Sequence, residues 1–124
     1  MAEVKYFRPI GFERRFNDRG TSVHEYINEQ DHPAFSCGIT SFRDSDFDWT
    51  LWYDEMLICI DPGGLLEVSA DGNAYSLAKG DCIWLPNGTS ARYRSIGLAL
   101  VYWVISPADW RKDARYIRYR KDRE

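Results

Sequence analysis

The segment Gly80–Ser95, with the sequence GDCIWLPNGTSARYRS, decides the fold. Its apolar first half and its alternating second half, ARYRS, are both typical of short β-strands. Between them, Pro86, Asn87 and Gly88 form a turn signal, because proline restricts the backbone angle φ and glycine accepts positive values of φ. The segment therefore predicts two neighbouring strands joined by a turn.

The rest of the chain repeats this alternation of short extended segments and turns. Its strand-like segments are SVHEYI, AFSCGITSF, WTLWY, EMLICI, LLEVSA, AYSL, DCIWLP, ARYRS and LALVYWVI. The dipeptide Asp71-Gly72 is the clearest hairpin signal, since glycine favours the primed turns that join antiparallel strands. About nine short strands at close spacing predict an all-β sandwich or barrel.

The C-terminal end departs from this pattern. Ser106 and Pro107 resemble the start of a helix, so we expect a short closing helix that ends near Arg111. Residues 111–124 carry seven basic and three acidic side chains, although the whole chain has a net charge of −3. We expect this basic tail to be solvated and, because residues 1–110 are acidic, we do not expect nucleic-acid binding.

Length and composition suit a single folded unit. The chain has 124 residues, of which 44% are hydrophobic, and we expect one domain over 1–124 with residues 1–20 as an N-terminal arm or strand. We expect neither a signal peptide nor a membrane helix, because no apolar stretch approaches roughly 20 residues. Cys37, Cys59 and Cys82 lie among apolar neighbours, which predicts buried, reduced thiols in a cytoplasmic protein.

The spacing of Gly80, Pro86 and Gly88 resembles the second signature of the cupin family. In that family the signature ends in a histidine that binds metal. The corresponding place here holds Ala91, whose side chain has no lone pair to offer. The residues that shape the turn are therefore kept, while the residue that supplies metal chemistry is absent.

The first cupin signature resembles the stretch WTLWYDEMLICIDPGG, with Glu55 in the place of its glutamate. Its two histidine places fall on Trp49 and Leu51, or on Asp48 and Thr50 if the longer spacing applies. One carboxylate is far short of the three or four protein ligands of a zinc site. We therefore expect neither a metal nor another cofactor.

Three stretches, WTLWYDE, GDCIWLPNGTS and YWVISPADW, resemble one branch of the cupins, the cupin domain of ethanolamine-utilisation protein Q. The resemblance spans about residues 35–111 and implies a jelly-roll barrel or double-sheet sandwich. That branch also lacks the histidines, and His24 and His32 lie outside both signatures. The turn at Asp61–Gly64 is longer than the family's, which predicts a bulge or a longer turn there.

The resemblance implies that Glu55 faces the barrel interior. Alternation along the strands then places Trp49, Leu51, Ala91 and Tyr93 inside as ligand-binding candidates. Glu55 is the candidate acid or base, because burial raises a carboxyl pKa, and Tyr53 is its candidate catalytic partner. Two structural alternatives remain: the aromatic residues fill the barrel, or an arginine at position 92 or 94 neutralises the carboxylate.

Two hypotheses about function follow from the sequence. The first is a metal-independent, small-molecule-binding cupin that serves as an accessory enzyme of small amine or aldehyde catabolism. The second is a non-catalytic ligand-sensing or protein-interaction module. We also expect a homodimer that pairs through sheet edges, with the N-terminal segment crossing to the partner. The protein Q family has been linked to acetate kinase activity, but no phosphate-cradling glycine motif occurs in the sequence.

Overall fold

A computed structural model describes residues 4–8, 14–15, 19–31 and 34–122. Two antiparallel sheets form a jelly-roll sandwich, as the sequence predicts. The strands are β1 (Arg14–Arg15), β2 (Thr21–Ile27), β3 (Ser36–Arg43), β4 (Asp46–Thr50), β5 (Asp54–Asp61), β6 (Leu65–Ala70), β7 (Asn73–Ser76), β8 (Cys82–Leu85), β9 (Ser90–Ile96) and β10 (Leu98–Ser106). The six-stranded sheet has the order β1-β2-β3-β10-β5-β8, and the four-stranded sheet has the order β4-β9-β6-β7.

The core lies between the inner faces of the two sheets. On β10, every second residue is buried, including Val101, Trp103 and Ile105. Val68 and Tyr93 face them from paired strands of the four-stranded sheet. Because neighbouring strand residues point to opposite faces, this alternation fixes which side chains can reach the interior.

The turns show why the sequence folds back where it does. Asp71 and Gly72 both have positive φ, at 53° and 77°, and they join β6 to β7 in the predicted hairpin. Such φ values at both central residues are those of a primed turn. Opposite the Asp61–Gly64 turn, the pairing of β10 with β5 shifts register between Leu100 and Val101. The predicted irregularity before Gly63 is therefore confirmed.

The prediction of a strand over WTLWY is wrong in its second half. The strand β4 ends at Thr50, and Leu51–Tyr53 forms the connection that crosses from the four-stranded sheet to β5. The Leu51 N–H donates to the carbonyl of Thr89, and the Gly88 N–H donates to the carbonyl of Leu51. The connection is nevertheless buried. Its apolar composition is therefore the same as that of a buried strand, which is why a strand was predicted.

The closing helix begins later than predicted. Ser106 still belongs to β10, where it pairs with Asp54. A 3₁₀-helix follows at Trp110–Lys112, and the helix α1 spans Ala114–Asp122. Asp113 accepts a hydrogen bond from the Arg115 backbone N–H at 2.8 Å, which is the geometry of an N-terminal cap. Much of the expected solvated tail is thus helical.

Tyr116 anchors α1 to the sandwich, since its side chain is buried and its ring centroid lies 5.1 Å from that of Trp110. The prediction of buried cysteines is confirmed for Cys59, whereas Cys37 is only partly buried and Cys82 is exposed on β8. No helix among the described residues is long and apolar enough to cross a membrane. Of the predicted N-terminal arm or strand, the structure describes residues 4–8, which are neither helix nor strand, the two-residue β1, and residues 19–20.

Candidate functional site

A cavity of about 60 Å³ lies between the two sheets, close to the C-terminal segment. Its walls are mainly aromatic, formed by Phe42, Phe47, Trp49, Tyr93, Trp103, Trp110 and Tyr116. Its polar side chains include Glu55, Tyr53 and Arg111. Since one water molecule needs about 10–15 Å³ of a volume measured in this way, the space suits a molecule of roughly four to six non-hydrogen atoms.

Glu55 is the buried carboxyl group of this cavity. It lies on the inner face of β5 and is 8% exposed. Desolvation raises its pKa to about 8, an effect that the hydrogen bond from Tyr93 partly opposes. The Tyr93 hydroxyl donates to Oε1 of Glu55 at 3.4 Å, which is long for an O–H···O hydrogen bond,. The side chain is therefore mainly protonated at neutral pH.

The arginines considered as neutralising partners of Glu55 lie on the other side of the four-stranded sheet. Arg92 alternates with the buried Tyr93 on β9 and forms two hydrogen bonds with the Asp46 carboxylate, at 2.7 and 2.8 Å. Arg94 occupies the outward position two residues later. This placement does not support neutralisation of Glu55 by either arginine.

Tyr53 and Trp49 form a second polar pair in the cavity wall. The indole Nε1 of Trp49 donates to the Tyr53 hydroxyl oxygen at 2.7 Å. Burial, followed by the negative charge of Glu55 when ionised, raises the pKa of Tyr53. The same two causes raise the pKa of Tyr93. Both phenols therefore stay protonated across the physiological range and present O–H groups rather than phenolates.

Leu51 and Ala91 are buried but do not line this cavity. Leu51 belongs to the connection after β4 rather than to a strand, so the alternation used to place it does not apply. Ala91 is paired in register with Trp49, whose much larger side chain reaches the cavity in its place. The structure thus brings together Glu55, Tyr53, Trp49 and Tyr93, whose roles stay predictions.

Arg111 is a cavity residue that the sequence analysis missed. Its guanidinium lies 4.4 Å from the centroid of Trp110 and forms an ion pair with Glu25. Its Nε atom is buried and makes no hydrogen bond within the described residues, and the same holds for Nε1 of Trp103. Both residues line the cavity, but these two N–H groups are themselves buried and expose almost no surface to it. A basic residue directly after the Pro-Ala-x-Trp motif was the signal that could have indicated Arg111.

A metal ion at the usual cupin position does not fit these residues. Leu51 and Ala91 carry no donor atom, and the indole N–H of Trp49 is already used as a donor to Tyr53. The described residues include no group of three histidine, cysteine, aspartate or glutamate side chains close enough to hold a metal. His24 pairs with Ile39 at an outward position of the six-stranded sheet, away from Glu55. His32 lies outside the described residues.

Comparison with known proteins assigns the family. A family model described as "Ethanolamine utilisation protein EutQ" matches residues 17–112. The chain belongs to the EutQ family. A curated relative from Clostridioides difficile, named acetate kinase EutQ, is 35% identical over 81 residues, which are 65% of this chain and 50% of that protein. The chain spans about half, or less, of the length of its curated EutQ relatives.

Solved structures agree with this assignment. The EutQ protein from Salmonella typhimurium superposes with a TM-score of 0.67 at 26% identity, covering 78% of this chain and 79% of that one. An RmlC-like cupin from Shewanella frigidimarina gives a TM-score of 0.69 at 14% identity, covering 86% and 93%. The second likeness shows the fold alone, so the EutQ-family chain is a cupin whose site has to be interpreted from its own residues.

Proposed function

We propose that this EutQ-family chain is a metal-independent cupin that binds a small oxygen-containing molecule and transfers a proton to or from it through Glu55. The observation that carries the proposal is the buried Glu55 carboxyl group, with a pKa of about 8. Tyr53 and Tyr93 line the same small cavity. A protonated carboxylic acid at neutral pH is suited to general acid catalysis.

The proposed step uses Glu55 as the proton donor. The ligand oxygen would lie near the Glu55 carboxyl, where the long contact to Tyr93 leaves a weak hydrogen bond to be replaced. Glu55 donates its proton to that oxygen, and the hydroxyl of Tyr53 orients the ligand. The product leaves with that proton, and the resulting Glu55 carboxylate takes up a new proton from solvent water, because its charged form is costly in this apolar site.

Donor groups and cavity size define the ligand class. The cavity wall includes the side chains of Tyr53 and Tyr93 and the carboxyl group of Glu55, so it suits a small molecule with acceptor oxygens, such as a carboxylic acid or an aldehyde. The relatives' name, acetate kinase, makes acetate the first ligand to test. We do not extend the kinase reaction to this chain, because the paired glycines Gly63 and Gly64 lie in a turn between strands and not before a helix,.

A protein-interaction role is the second candidate. The observation that favours it is the exposure of Trp84 and Tyr102 on the outside of the six-stranded sheet. Large exposed aromatic residues are typical of interaction surfaces. The two roles are compatible in one molecule, but only the first requires the carboxyl group of Glu55. An accessory place in amine or aldehyde catabolism is compatible with either role.

The test is an acetate titration followed by tryptophan fluorescence, because Trp49 and Trp103 line the cavity. We expect saturable binding that weakens as the pH rises through about 8, since ionised Glu55 repels the acetate anion. The Glu55→Gln variant should bind without this pH dependence. The control is Glu67→Gln, at an outward position of β6, which should behave as the parent.

Saturable binding with the same pH dependence in the Glu55→Gln variant would refute the role of Glu55. If the parent does not bind acetate, the next probe is acetaldehyde, with proton exchange at its carbon next to the carbonyl measured by NMR. Absence of binding and of exchange with both probes would contradict the small-molecule proposal. The interaction module would then be the better account.

A further inference from the structure

Trp49 and Tyr53 lie at the two ends of the crossing from the four-stranded sheet to the six-stranded sheet. Trp49 occupies an inward position of β4, and Tyr53 is the last residue of the buried connection before β5. The distance of 2.7 Å between Nε1 of Trp49 and the Tyr53 hydroxyl oxygen is at the short end of the range for an N–H···O hydrogen bond. Both side chains line the cavity that contains Glu55, so this hydrogen bond belongs to the wall of the candidate site.

The direction of this hydrogen bond decides what the Tyr53 hydroxyl can still do. An indole N–H can only donate, whereas a phenol hydroxyl both donates and accepts. Trp49 therefore uses Tyr53 as an acceptor, and the Tyr53 O–H is left to donate. Within the part of the chain that the structure describes, this hydroxyl has no other hydrogen-bond partner. Tyr53 is only 3% exposed, and a buried donor without an acceptor costs free energy. The O–H is therefore suited to an acceptor atom that a ligand brings.

The hydrogen bond from Trp49 also strengthens Tyr53 as a donor. Burial, and then the charge of Glu55 when ionised, raises the pKa of Tyr53, whereas the hydrogen bond from Trp49 opposes this rise. A hydroxyl oxygen that accepts a hydrogen bond is polarised by it, and its own O–H becomes a better donor. Trp49 therefore affects both the orientation and the strength of the Tyr53 O–H.

Glu55 supplies a second O–H donor to the same cavity. Its carboxyl group carries a proton at neutral pH, because its pKa is about 8. Its contact with the Tyr93 hydroxyl, at 3.4 Å, is long, so a ligand oxygen can replace it at little cost. A ligand in this cavity thus meets two O–H donors, one from Tyr53 and one from Glu55.

We propose that Trp49 is a positioning residue, which fixes the Tyr53 hydroxyl as a donor so that Tyr53 and Glu55 together select ligands with acceptor oxygens over amines. This inference rests on the function proposed above and adds the selection of the ligand to it. A small carboxylate offers one oxygen to each O–H group. An alkylammonium ion of similar size has only N–H donors, so it would face two O–H donors and would lose the hydration of its charge.

The test compares the binding of acetate and of ethylammonium by isothermal titration calorimetry, well below the Glu55 pKa of about 8. The parent should bind acetate and not ethylammonium. Acetate affinity should fall about tenfold in Trp49→Phe and also in Tyr53→Phe. In the Tyr53→Phe background, Trp49→Phe should have no further effect, because Trp49 acts through the Tyr53 hydroxyl. The matched control is Trp84→Phe, at an exposed position of β8, which should bind acetate as the parent does.

A second variant separates the loss of the N–H group from a change in packing. A tryptophan analogue in which sulfur replaces the indole N–H keeps the shape of the side chain at position 49 but cannot donate a hydrogen bond. It should lose acetate affinity as Trp49→Phe does, while urea unfolding shows that the fold is kept.

Three results would contradict the inference. Parent affinity for acetate in the sulfur variant, or an equal effect of Trp49→Phe with and without the Tyr53 hydroxyl, would overturn the role of Trp49 and leave the Glu55 proposal standing. Binding of ethylammonium by the parent under the same conditions would overturn the selection of acceptor oxygens. A parent that binds neither acetate nor acetaldehyde would contradict the function proposed above and, with it, this inference.

Discussion

Trp103 and Tyr102 are neighbours on β10 that experience opposite environments. Trp103 points into the sandwich, is 3% exposed and lines the cavity, whereas Tyr102 points outward and is 47% exposed. The inner face also holds the buried carboxyl group of Glu55, and the outer face holds Trp84. Each face thus departs from the general pattern in which apolar side chains lie inside and polar side chains lie outside.

The two exceptions differ in what they imply. A carboxyl group placed among aromatic side chains costs stability whenever it ionises, so its retention points to chemistry inside the cavity. An aromatic residue placed in water costs little in the single chain, and the exposure of Trp84 and Tyr102 on one face is the observation behind the proposed interaction role,. Proteins depart from local folding rules mainly at functional sites, and these two faces are the places to test.

The largest expected effect is the pH dependence of stability that Glu55 causes. Its pKa is 4.5 in a free side chain and about 8 in the folded protein, so its contribution is fully present below pH 4.5 and is lost as the pH rises towards 8. The loss is at most about 5 kcal/mol. Urea unfolding at several pH values should show this decline in the parent and not in Glu55→Gln.

The Glu67→Gln variant is the control for that experiment, because it removes the same kind of charge from an outward position. It should keep the parent's decline between pH 4.5 and about 8. A parent whose unfolding free energy varies with pH in the same way as that of Glu55→Gln would show that Glu55 ionises in the folded protein at its ordinary pKa.

The next largest effect tests the inner face through Trp103. Truncation by Trp103→Ala should lower the unfolding free energy by about 4 kcal/mol, because it leaves a cavity that the sheets cannot close. The indole also packs against Gly38, where an added Cβ would lie 2.7 Å from the Trp103 ring. Urea denaturation at low protein concentration measures the change. A loss of unfolding free energy below about 1 kcal/mol would mean that neighbouring side chains move to fill the space left by the indole.

A smaller effect concerns the ion pair at the cavity wall. Arg111 and Glu25 are only 17% and 15% exposed in their side chains, so a double-mutant cycle with alanine at both positions should give a coupling of about 1.5 kcal/mol. The control cycle uses Arg92 and Asp46, whose side chains are about half exposed. Its coupling should be smaller, because solvent screens an exposed ion pair. Equal coupling energies would show that the ion pair at the cavity wall stabilises the protein no more than the ion pair on the surface.

The smallest effect is expected on the outer face. Tyr102→Thr keeps a strand-forming residue, so the unfolding free energy of the single chain should change by less than about 1 kcal/mol. The measurement is urea unfolding at a concentration where the chain is monomeric by light scattering. A loss as large as that of Trp103→Ala would show that Tyr102 stabilises the chain itself, and it would weaken the contrast between the two faces.

Sequence patterns predicted the strands well because alternation and turn residues act over short distances. The DG turn depends on neighbours within a few residues, whereas the irregularity before Gly63 and the inward position of Glu55 were implied by the cupin resemblance. The connection Leu51–Tyr53 was mistaken for strand, because a buried crossing between sheets has the same apolar composition. Local composition does not distinguish the two.

The part of the site that could not be predicted from the sequence lies on segments that are far along the chain from Glu55. Arg111 and Tyr116 reach the cavity only because the chain folds back after β10 and α1 packs against Trp110. The contacts of this C-terminal segment depend on tertiary packing and not on the periodicity of the sequence. Asp113, which caps α1, was a local signal for the true start of this helix. The sequence analysis instead placed the start at the more prominent Ser106-Pro107 pair.

The position of β10 has a consequence for synthesis of the chain. β10 is the last strand to be made, yet it lies in the middle of its sheet and joins β3 to β5. While a ribosome is still translating residues 98–106, the sheet exists as two unconnected pieces with apolar edges. The sheet can therefore close only after residues 98–106 have left the ribosome, and its distant strand pairings make folding comparatively slow. Until then the unpaired strand edges of β3 and β5 are the parts most prone to aggregation.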